Sequence, residues 1–107
     1  MQEQITVEEV TTAVANAKAQ TENFAEQVEQ LMVKNCDEPD TFNALLAILE
    51  PIGLSVHMFS VMGGILEMDS TKDQLDQEKL DMTLMTVEGM MSIIDREMQK
   101  ARDIVGE

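Results

Sequence analysis

Few residues in this chain could do chemistry, and their spacing argues against catalysis. His57 is the single histidine. A metal site on a helix needs imidazole and carboxylate about one turn apart, whereas the nearest acids in sequence, Glu50 and Glu67, lie well outside that reach. We expect His57 to be a buried histidine bonded to a neighbouring acceptor, with a pH-sensitive place in an interface as the alternative. Asp69, Asp73 and Asp76 form an acidic turn. An EF-hand loop requires closely alternating oxygen ligands, a central glycine and a distal glutamate, and this turn lacks that order. Cys36 stands alone beside Asp37 and Glu38, so it has no intrachain disulfide partner and reads as a passive thiol. Gly63 and Gly64 sit in an apolar run with no Lys, Ser or Thr placed to hold phosphate. No nucleophile elbow is present either. The expectation is no catalytic residue, no metal, no cofactor and no enzyme.

The informative features are patterns of burial. Pro51 to Leu66 is an uncharged stretch in a chain of 107 residues whose net charge is −14. The length fits one domain, residues 1–107. Ten Met, three Phe and no Tyr or Trp leave little material for a β-sandwich core, while Met, Leu, Ala, Glu and Gln favour helix. The composition predicts an all-α protein.

Three helical segments follow from the periodicity. The first spans about 6–34: Thr6 as N-cap with Glu9 three residues on is a capping box, and Val7, Val10, Val14, Ala17, Thr21, Phe24, Val28 and Leu31 alternate by three and four. Pro39 prevents this helix from running on, and Asp37 or Asp40 can cap the next. The second spans about 41–68 with the seam Phe42, Leu45, Leu49, Ile52, Val56, Phe59, Gly63 and Leu66, and it is apolar on nearly every side. Pro51 either kinks it or splits it. The third spans about 71–105, opened by Ser70 with Asp73 and closed by Gly106, with a seam from Leu80 to Val105. Similar lengths and short connections imply an antiparallel three-helix bundle, or four helices if the middle one breaks at Pro51.

Two apolar surfaces exceed what three helices can cover. One is the middle helix, where Ser55, His57, Met58, Met62, Gly63 and Gly64 are the candidates for self-association, most simply as a two-fold homodimer. The other is on the last helix, where Met82, Met85, Gly89 and Ile93 point away from the seam, beside the acidic residues Asp81, Glu88 and Asp95.

The acidic balance disfavours direct nucleic-acid binding and anionic membrane surfaces. The sixteen-residue uncharged run, interrupted by Pro and Gly, is short for a transmembrane span. No signal peptide is evident, so a cytoplasmic location is expected. The leading functional expectation is a small, acidic, non-enzymatic interaction module, adaptor- or chaperone-like, that takes a partner's amphipathic or basic segment in a Met-rich helical groove. The alternatives are an acidic inhibitor that mimics nucleic acid on another protein's basic site, as a phage antagonist would, and a purely structural oligomerisation subunit.

Overall fold

A computed structural model of the chain describes residues 5–71 and 77–106. Over those residues the protein is all-helical: α1 is Val7–Lys34, α2 is Pro39–Thr71 and α3 is Gln77–Val105, and each packs on the other two.

α1 starts where its capping residue predicts. Thr6 is in extended backbone, and its hydroxyl accepts from the Glu9 backbone N–H at 3.1 Å. That bond satisfies one of the donors a first helical turn leaves without a partner. At the other end, the Asn35 side-chain amide donates to the Leu31 carbonyl at 2.8 Å, and the Asn35 backbone N–H donates to the same oxygen at 3.1 Å.

α2 differs from its expected bounds at both ends. Pro39 is its first residue, a position where the missing N–H costs nothing and the fixed φ suits the helix. Glu38 stands at the junction: its carbonyl accepts from the Phe42 N–H at 2.9 Å and its carboxylate from the Thr41 hydroxyl at 3.2 Å. Asp40, one of the two residues expected to cap, lies inside the first turn. The helix runs unbroken through Pro51, so the four-helix alternative is not realised. Ala47, whose carbonyl loses its helical donor to the proline, is exposed, and water can reach it.

Ser70, expected to cap the last helix, lies inside α2. Asp73, its expected partner, and Asp76 are outside the described residues, whereas Thr71, where α3 is expected to begin, is the last residue of α2. Gln77 opens α3 and ties it to the entry of α1. Its side-chain amide donates to the Ile5 carbonyl at 2.7 Å and accepts from the Ile5 N–H at 2.8 Å. Gly106, at φ +76°, ends α3 in the left-handed conformation that glycine adopts without penalty.

The core forms two clusters along the bundle. One joins Val10, Val14 and Ala17 of α1 with Phe59 and Leu66 of α2 and Leu80, Val87 and Ile94 of α3. The other joins Val28 and Met32 with Leu45, Ile48 and Ile52 and with Met98 and Ala101. Fully buried side chains such as Phe59 and Ile52 each contribute about 1.5–3 kcal/mol by leaving water. Thr21 is the one buried polar residue among those described. Its hydroxyl donates to the Ala17 carbonyl at 2.7 Å and lies 3.5 Å from the Met91 sulfur, so the seam tolerates it.

Candidate interaction face

Leu45, Ile52, Phe59 and Leu66 are seven residues apart and all buried, and so are Leu80, Val87, Ile94 and Ala101. A step of seven therefore preserves a face along both α2 and α3, despite the drift of about 20° per heptad expected of a straight helix. At one end of the bundle, Ala44, Ala47 and Ile48 of α2 and Glu97, Lys100, Asp103 and Ile104 of α3 line a common groove. Continuing those residues in sevens shows which rows border the groove along the rest of its length.

On α2 the rows are Ala44, Pro51, Met58, Ile65 and Ala47, Leu54, Val61, Met68. On α3 they are Lys79, Thr86, Ile93, Lys100 and Met82, Gly89, Arg96, Asp103. All of these except Ala44 are exposed. Exposed apolar residues of α2 and α3 thus border the same groove, and of the two surfaces expected from sequence this takes in Met58 on α2 and Met82, Gly89 and Ile93 on α3. Leu54, Met58, Val61, Ile65 and Met68 alternate by four and three along it, with exposures between 44% and 61%, and Met82 and Ile93 add 61% and 57% from α3. Seven side chains, about half exposed and offering roughly 200 Å² each, make a patch of about 700 Å², larger than monomeric proteins usually leave in water.

The charge on this face departs from that of the chain. Neither α2 row contains a charged residue, and the two α3 rows hold three cations and the Asp103 carboxylate, with Glu97 also lining the groove. The cations sit toward the ends: Lys79 at one, Arg96 and Lys100 at the other, with Lys100 paired to Glu97 at 3.1 Å. Asp81, Glu88 and Asp95, also exposed, run in sevens to Arg102, which lines the groove between α1 and α3. The acidic row is therefore on the flank of α3 turned toward α1, away from the apolar face.

The sequence-derived candidates divide accordingly. Met58, Met82, Gly89 and Ile93 lie on the face. Ser55 and Met62, in the row of Ile48, are half-buried in the flank of α2 toward α3. Gly63 is turned to α1, where a Cβ would stand 3.9 Å from a Val14 methyl carbon. His57 and Gly64 are exposed on the outer side of α2, and Met85 on the outer side of α3. A buried histidine was expected; the seam through Ile52, Phe59 and Leu66 turns position 57 outward instead. Leu54, Val61, Ile65 and Met68 were not among the candidates, although their alternation by three and four is the signal that identifies them.

Among the described residues, no group of three or more His, Cys, Asp or Glu is placed to hold a metal ion. Pro39–Met68 is long and apolar enough to cross a membrane by length and composition, and 22% of its most apolar window is buried inside the bundle. No family model matches the chain, and neither the characterised proteins nor the solved structures searched include a similar one.

Proposed function

We propose that this chain is a small, acidic, non-enzymatic protein-interaction module, adaptor- or chaperone-like in character and homodimeric, that works by helix-on-helix packing against its α2/α3 face. The observation that carries this reading is the face itself: side chains of Leu, Met, Val and Ile, half-exposed and aligned in rows at a helix-packing period, with no charge at the centre of those rows. Such residues act by leaving water rather than by transferring protons or electrons. Exposed methionines suit the role because their flexible, polarizable side chains adapt to a partner's contour. We read the three helices as alternating in direction. That reading is supported by the clusters: one joins the first half of α1 and residues 80–94 of α3 to the second half of α2, and the other joins the second halves of α1 and α3 to the first half of α2.

A soluble, cytoplasmic chain fits this proposal better than a spanning one. The inward seam of α2 packs on α1 and α3, and withdrawing α2 into lipid would leave Val10, Val14, Val87 and Ile94 without cover. Dye binding at nanomolar protein, where self-association is dissociated, tests the face. An apolar-surface dye is expected to bind the native chain and to bind severalfold less to Val61→Asp, while Met85→Asp, off the face, leaves binding unchanged. Equal binding by native protein and Val61→Asp would remove the face from the reading.

A further inference from the structure

We infer that the occupant of the α2/α3 face is a second copy of this chain, seated face to face about a two-fold axis so that α2 and α3 of both copies form a four-helix interface. This inference rests on the reading of the face as an interaction surface and adds the identity of what covers it.

Area is the first argument. A patch of about 700 Å² on each copy buries roughly 1,400 Å² in total, within the range of stable, specific protein interfaces. The second argument is charge. A chain of net charge −14 repels its own copies, so self-association requires a contact region cleared of acid. The centre of this face, from Leu54 to Ile65 on α2 and from Met82 to Ile93 on α3, carries no charge in any of the four rows. The cations Lys79, Arg96 and Lys100 border that centre at its two ends. A basic peptide would find the wrong sign at this rim, because the carboxylate row Asp81, Glu88, Asp95 lies on the flank of α3 toward α1. The third argument is period. The outward stripe on α2 alternates by three and four like the inward seams, so a copy of the same helix offers knobs at the spacing of its own holes.

The test is the solution mass across concentration and salt, by sedimentation or light scattering. The native chain, 12.0 kDa as a monomer, is expected at twice that mass at tens of micromolar. Because like-charged copies repel, dimerisation strengthens as salt screens them, whereas attraction of a basic partner weakens with salt. Val61→Glu on α2 and Ile93→Glu on α3 are each expected to weaken dimerisation by roughly 100-fold or more, since each buries a charge at the interface centre. Glu88→Gln, on the opposite flank, is expected to leave the mass unchanged. Circular dichroism should be native-like for all three variants, because positions 61, 88 and 93 are exposed.

A native chain that stays at 12.0 kDa up to 100 µM overturns the inference. So does a dimer that survives both Val61→Glu and Ile93→Glu, which would place the interface elsewhere. If the monomer nevertheless binds dye in a Val61-dependent way, the face stands and its occupant is another helix. Flotation of that monomer with zwitterionic vesicles would make the occupant a lipid surface and likewise overturn a second copy. Loss of both dimer and dye binding would end the reading of the face itself.

Discussion

Ile52 and Leu54 lie two residues apart on α2, are similar in size, and have opposite surroundings. Ile52 is fully buried between α1 and α3, while Leu54 is 61% exposed on the outward stripe. Replacing each by alanine therefore separates folding from association. Ile52→Ala removes buried carbon and leaves a cavity, which costs about 2–5 kcal/mol. Against a total stability of about 5–15 kcal/mol for a domain, that is a large fraction at any protein concentration. With each kcal/mol worth roughly 4–8 °C in a domain of this size, a loss near 3 kcal/mol lowers the melting temperature by about 12–24 °C.

Leu54→Ala deletes a side chain already half in water, and in the isolated chain it should cost less than about 0.5 kcal/mol. Its effect appears when copies pair. A hundredfold excess over the dissociation constant adds roughly 2.7 kcal/mol to apparent stability, and Leu54→Ala forfeits about 1–2 kcal/mol of that gain per copy through lost burial. The assay is urea unfolding followed by circular dichroism at 1 µM and 100 µM. Ile52→Ala should show its full loss at both concentrations, and Leu54→Ala only at the higher one. Equal losses for the two variants at 1 µM would mean that α2 presents a different side to the core, and the reasoning from rows of seven would fail.

Two further outcomes test local structure. Thr6→Ala removes the acceptor of the Glu9 N–H and should lower stability by about 1 kcal/mol, read as a shifted urea midpoint with unchanged slope. Gly53→Ala should raise stability by about 0.5–1 kcal/mol, because the position is inside a helix and an added Cβ meets nothing within 4 Å; a loss there would show that backbone or partner needs the space.

Much of the bundle is legible without coordinates. The alternation of apolar residues by three and four names the inward seams, and every member of them is buried or half-buried, from Val7 to Leu31 on α1, Phe42 to Leu66 on α2 and Leu80 to Val105 on α3. Capping at Thr6 and termination at Gly106 are equally local, because their partners lie within one turn. Pro39 and Pro51 are different. Sequence marks both as breakers, but whether a proline ends a helix or is accommodated depends on what packs around it, and α2 begins at one and passes through the other.

Periodicity by itself assigns residues to rows and does not say which row meets which neighbour. α2 is apolar on several sides, so its pattern named the seam of Phe59 and Leu66 but did not say whether a second row, that of Val61 and Met68, would be covered or left in water. Only packing decides that, because α1 and α3 together cover one side of the helix. The same packing puts Lys100 and Asp103, of the rows of Ile93 and Met82, in the groove with α2, and Arg102, of the row of Asp81, Glu88 and Asp95, in the groove with α1. It also joins Gln77 to Ile5, a contact across 72 residues of sequence that no local pattern encodes. Sequence alone determined an acidic three-seam helical chain with surplus apolar surface. The tertiary structure decided which part of that surplus borders the α2/α3 groove around an uncharged centre, because the direction a helix turns is set by its neighbours and not by its period.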